Sequence, residues 1–175
     1  MEQGLIHIYC GDGKGKTSAA IGLAVRAAGS GMGVLIVRFL KNEHSGELQA
    51  LEQIPRIRVL HPEKSFGFMS TLSEEEKTVL FAVSSRLWDR MTEEALSGKC
   101  RLLVIDEFMA ACRYGLISKE KALHFLKEKP EGLEVVLTGR DPEPEFLELA
   151  DYVSEIRKIK HPFDRGIRAR KGIEF

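Results

Sequence analysis

The sequence predicts an α/β fold of three layers, with a mainly parallel central sheet of about six strands. Three observations carry this expectation. Short apolar runs such as residues 34–40 are nearly continuous, as parallel strands buried on both faces require. Longer stretches with helical spacing and recognisable caps separate them. A glycine-rich turn, residues 10–18, joins the first strand to the first helix.

Residues 5–9 are β-prone and end at that turn, which makes them the first strand. An alanine-rich helix is expected from Lys16 to about Ser30, with glycines 29, 31 and 33 ending it. The second strand covers 34–40. A short helix over 47–52 and a third strand over 57–60 follow. Residues 61–72 are irregular and hold Phe66 and Phe68. Ser73 and Glu76 have capping-box spacing, opening a helix that reaches about Leu96 with Leu80, Val83, Leu87, Met91 and Ala95 on one face. Trp88, in mid-helix, is expected in the core. The fourth strand, 102–105, runs into Asp106 and Glu107. Ser118 caps a helix to about Lys127. A fifth strand (134–138), a short helix (144–149) and a sixth strand (152–156) complete the chain.

The 175 residues suit one domain, 1–175, with a single sizeable core. Lys plus Arg equals Asp plus Glu at 26 each, which gives no bulk electrostatic case for nucleic acid or a membrane surface. No apolar run approaches the roughly 18 residues of a membrane span. The start of the chain lacks the basic region of a signal peptide. Three scattered cysteines, Cys10, Cys100 and Cys112, fit reduced thiols, so a cytoplasmic location is expected.

The turn reads Cys10-Gly11-Asp12-Gly13-Lys14-Gly15-Lys16-Thr17-Ser18. Between a strand and a helix this is a phosphate-binding loop. Its glycines allow backbone N–H groups to face one anion, and the helix start adds partial positive charge. Lys16 supplies a full charge to phosphate oxygens, and the Thr17 hydroxyl suits Mg²⁺. The usual first glycine of the pattern is Cys10, so the loop is a compact variant. Asp106 and Glu107 end a strand at the same sheet edge, where they suit Mg²⁺ directly or through water. Taken alone, such a pair often only starts a helix. Arg140, in Thr138-Gly139-Arg140, suits a bidentate phosphate contact. The fold expected is thus P-loop NTPase-like (RecA-like). On these residues an ordinary P-loop ATPase or kinase acting on an unidentified acceptor fits as well. Residues 157–171 carry seven Lys or Arg against one Asp, which suits a solvated tail or a nucleic-acid patch.

Several blocks, taken in order, resemble the P-loop type of ATP:corrinoid adenosyltransferase, also called cob(I)alamin adenosyltransferase. They are Gly11 to Ser18; Phe39-Leu40-Lys41 with Gly46-Glu47; Asp106-Glu107; Thr138-Gly139-Arg140; and the C-terminal stretches Ala150 to Glu155, Lys160 to Ile167 and Gly172 to Phe175. The resemblance implies transfer of the 5′-deoxyadenosyl group of ATP to Co(I) of a corrinoid, forming adenosylcobalamin and releasing triphosphate. It implies ATP contacts from Gly11, Asp12, Gly13, Lys14, Gly15, Lys16, Thr17, Ser18 and Arg140, with Mg²⁺ at Thr17, Glu107 and Asp106. Lys16 and Arg140 would stabilise the departing triphosphate. Phe66 and Phe68 would act near the corrin, where the lower axial ligand must leave cobalt before reduction. A reduced flavin or flavoprotein as electron donor and a homodimer are further expectations, with no nucleic-acid or membrane partner. Departures from the family pattern are Asp12 for asparagine, Arg38 for glutamine, Asn42 for glycine and Phe68 for tryptophan.

Overall fold

The computed structural model describes residues 3–40, 46–63, 66 and 69–174. Its strands are β1 (Ile6–Cys10), β2 (Val34–Arg38), β3 (Ile57–Leu60), β4 (Leu102–Asp106), β5 (Glu134–Thr138) and β6 (Tyr152–Glu155). Its helices are α1 (Lys16–Gly29), α2 (Gly46–Leu51), α3 (Glu74–Leu96), α4 (Phe108–Arg113), α5 (Lys119–Glu128) and α6 (Pro144–Leu149). The strands form one sheet in the order β3-β2-β4-β5-β1-β6. Every pairing is parallel. The α/β class and the strand number follow the sequence reading.

Side chains alternate across a strand, so one strand feeds both faces. Val34 and Ile36 of β2, with Leu102 and Val104 of β4, join Ala20, Ala24, Ala27 and Ala28 of α1 in one cluster. Four buried alanines let the α1 backbone lie close to the sheet. Leu35, Val37, Leu103 and Ile105 face the other way and pack with Leu80, Leu87, Trp88 and Met91 of α3 and with Phe125. Trp88 is buried as its helix position predicts, with ring centroids 6.5 Å from Phe39 and 5.7 Å from Phe125.

Strand two is shorter than expected. β2 ends at Arg38, and Phe39, wholly buried, fills the core beyond the strand end rather than extending the ladder. Helix α4 is an addition. It starts directly after Glu107, whose backbone is left-handed (φ 58°), so no polar cap announces it. The capping box forms: Ser73 Oγ accepts from Glu76 N–H at 3.2 Å, and Glu76 accepts from Ser73 N–H at 2.9 Å. Among the described residues no helix is long and apolar enough to cross a membrane.

Candidate functional site

Parallel strands bring all their carboxyl ends to one edge, and there the sheet assembles a cleft of about 840 Å³. The loop residues Asp12 to Ser18 form one wall, with Glu107 and Arg140 beside them. Glu47 at the start of α2 adds to the lining, as do His161 and residues 172–174 of the returning tail. All three cysteines are free thiols.

Sequence position alone does not show how tightly the loop is held from behind. Gly11 has φ 102°, and a Cβ there would meet the Ile156 carbonyl oxygen at 2.4 Å. At Gly13 a Cβ would lie 2.7 Å from the same oxygen. No side chain fits at either place. The backbone of the segment after β6 is hydrogen-bonded to the loop: Gly13 N–H donates to Ile156 O at 2.8 Å, and Ile156 N–H to Cys10 O at 2.8 Å. The Asp12 carboxylate accepts from Lys158 N–H at 2.9 Å, which holds its pKa below the ordinary carboxylate value. The expectation that successive loop amides face one anion therefore needs correcting at Gly13, whose N–H is spent on Ile156. The first-turn N–H groups of α1, which have no intrahelical acceptor, stand at the cleft with Lys14 and Gly15.

Lys16 Nζ donates to the carbonyls of Gly11 and Gly13, each at 2.8 Å. Its pKa is lowered, first by burial and then by the nearby Arg140 guanidinium. An anion entering the cleft would offset both effects by favouring the charged ammonium. Arg140 is exposed, and its carbonyl accepts from Arg113 at 3.1 Å.

Beneath the loop runs a chain of hydrogen bonds joining β4, β5 and α1. Thr17 Oγ1 donates to Asp106 Oδ1 at 2.8 Å, and Thr138 Oγ1 donates to the same oxygen at 2.7 Å. Thr138 Oγ1 in turn accepts from Glu107 N–H at 2.9 Å. Asp106 is 2% exposed. Thr17 also lines the cleft, which places its hydroxyl oxygen beside any cation held there. Glu107 lines the cleft, while Asp106 sits behind Thr17. This donor set suits Mg²⁺ held by few protein oxygens plus phosphate oxygens, the usual arrangement for that ion.

The tail approaches the loop by charge. Glu174 accepts from Lys14 Nζ at 3.2 Å, from Arg170 Nη2 at 3.1 Å and from Arg170 N–H at 2.8 Å. The Arg170 contact is the main reason its pKa falls to about 2. His161 Nδ1 accepts from Phe163 N–H at 3.2 Å, a turn-capping contact at the cleft wall.

Phe66 is not among the residues lining this cleft. It is half-buried against the core on the sheet face opposite α1. Phe68, Lys41 and Asn42 lie outside the described residues. Sequence reasoning passed over three members of the site: Thr138 as a hydroxyl link, Arg38 as a buried cation, and Glu47 as its partner. The available signal was a polar residue ending each of three apolar strands, at Arg38, Asp106 and Thr138.

A glycine-cradled lysine at a helix start, beside a strand-end carboxylate pair on a parallel sheet, defines a P-loop nucleotide-binding protein. The model of the ATP:corrinoid adenosyltransferase family (BtuR/CobO/CobP) matches residues 2–175. Corrinoid adenosyltransferase of Sinorhizobium sp. is 34% identical over 176 residues, covering 99% of this chain and 81% of that one. Its counterpart in Escherichia coli K12 is 35% identical, covering 99% and 87%. Corrinoid adenosyltransferase CobA of Salmonella typhimurium is 33% identical over 175 residues, with the same coverage. The chain belongs to the ATP:corrinoid adenosyltransferase family, whose activity is ATP-dependent adenosylation of corrinoids.

Proposed function

We propose that the cleft holds the triphosphate of ATP while Co(I) of a corrinoid attacks the ribose 5′ carbon. The cobalt electron pair forms the Co–C bond as the C5′–O bond breaks, and triphosphate leaves with that bonding pair. The protein needs neither a nucleophile nor a base for this step. Its contribution is orientation and stabilisation of charge on the leaving group. Lys16, Arg140 and the start of α1 supply positive charge, and the loop residues Gly11 to Ser18 shape the seat. Thr17 and Glu107, with Asp106 behind Thr17, would hold Mg²⁺. That ion, when bound, neutralises phosphate charge. One observation carries the reading: the loop, Arg140, Glu107 and the tail line a single cleft of about 840 Å³, within the range for small-molecule sites.

The same reading makes residues 1–175 one functional unit and gives Phe66 and Phe68 a role near the corrin. Phe66 would serve from the core side of the irregular segment rather than from the phosphate cleft. A reduced flavin or flavoprotein as electron donor, a homodimer and a cytoplasmic setting complete the proposal. They rest on the family resemblance, and the equal counts of acidic and basic residues favour small-molecule partners over nucleic acid.

The test is incubation with ATP, Mg²⁺, a corrinoid and a strong reductant, followed by visible spectroscopy and phosphate analysis. A light-sensitive alkylcobalt product with one triphosphate per turnover is expected. Release of ADP and orthophosphate without alkylation would instead reject adenosyl transfer in favour of the ATPase alternative.

A further inference from the structure

Arg38 is an unusual residue to end a buried strand. Its side chain is 1% exposed, and a guanidinium so far from water must be offset by carboxylates. Two face it. Nη2 donates to Glu47 Oε1 at 3.0 Å, and Nε lies 3.8 Å from Asp106 Oδ2. β2 and β4 pair with Arg38 directly opposite Asp106, so strand register fixes the second contact.

The two oxygens of Asp106 therefore have different surroundings. Oδ1 takes the hydroxyl protons of Thr17 and Thr138, and Oδ2 is turned to the guanidinium. A carboxylate with two hydroxyls on one edge and a cation on the other has one preferred orientation. That orientation fixes the Thr17 hydroxyl, and Thr17 lines the cleft. On the far side Arg38 holds Glu47, which opens α2 and lines the same cleft.

We infer that Arg38 is a positioning residue for the metal-bound nucleotide, aligning Thr17 through Asp106 and fixing Glu47 at the cleft wall. The inference rests on the Mg²⁺ reading of Thr17 and Glu107. Arginine suits this place because its planar, permanently charged fork serves two carboxylates at once, which an ammonium group does less well.

The readout is the ratio of ATP affinities measured by calorimetry with and without Mg²⁺, which a purely structural residue would not change. In Arg38→Met the ratio should fall at least tenfold while Mg²⁺-free affinity stays within twofold. Arg38→Lys and Glu47→Gln should give intermediate losses. The double variant R38M/E47Q should be no worse than R38M, since Glu47 acts through its contact with Arg38. A wild-type ratio in R38M, or a parallel fall in both affinities, overturns the inference. If R38M does not fold, intermediate ratios in R38K and E47Q carry it, and wild-type ratios in both overturn it. A wild-type protein indifferent to Mg²⁺ would sink the metal reading itself and this inference with it. A Mg²⁺-responsive wild type beside an equally responsive R38M would sink the inference alone.

Discussion

Thr138→Val keeps the shape of a wholly buried side chain and removes one oxygen. That oxygen donates to the Asp106 carboxylate at 2.7 Å and accepts from Glu107 N–H at 2.9 Å. A hydrogen bond to a charged group contributes about 1.5–3 kcal/mol, and stranding a buried donor costs about 1–3 kcal/mol. The Glu107 amide is only part-buried, so its share belongs at the low end. The expected loss is about 3 kcal/mol. With a urea slope of roughly 2 kcal/mol per molar, the unfolding midpoint should drop by about 1.5 M. Equilibrium urea unfolding followed by Trp88 fluorescence measures this. Thr138→Ser, which restores the hydroxyl, should recover most of the loss. A Thr138→Val midpoint within the scatter of neutral surface substitutions, about 0.5 kcal/mol, would show that the hydroxyl is not the link described.

Other outcomes follow from the same geometry. Lys16→Ala should leave the fold intact and weaken ATP binding by about 1.5–3 kcal/mol, and unchanged affinity in calorimetry would contradict the loop assignment. Glu174 has its pKa lowered from an ordinary 4.5 to about 2, so its hold on Arg170 is at full strength above pH 4.5 and is lost as pH falls through about 2. The Arg170 amide resonance, which reports that contact, should titrate near the lower value; a midpoint at 4.5 would mean that the Glu174–Arg170 contact does not persist in solution. Phe66→Ala combined with Phe68→Ala should spare ATP affinity and reduce turnover that starts from Co(II). Unaltered turnover would mark both rings as packing.

Much of the site was legible because its chemistry is local. The loop, its lysine and Thr17 adjoin one another in sequence, and the Ser73–Glu76 box is a four-residue pattern that formed as spaced. Strand order was not legible. Nothing near Tyr152 states that β6 pairs with β1, because that contact is made between segments far apart in sequence. The same holds for Thr138 and Arg38, whose roles arise only when β2, β4 and β5 end side by side. Helix α4 escaped because a left-handed Glu107 replaces the usual polar cap. The extent of β2 was overread because Phe39 is as apolar as the strand it follows, and only tertiary packing against Trp88 separates the two.

The contact between the loop and the segment after β6 has a consequence for biosynthesis. Asp12 is translated early, yet the Lys158 amide that secures it follows 146 residues later. A nascent chain therefore carries the nucleotide motif long before it can shape it. Affinity for ATP should arise late, once the last strand leaves the ribosome and closes the sheet edge beside β1. Ligand capture would then report that the chain had finished folding.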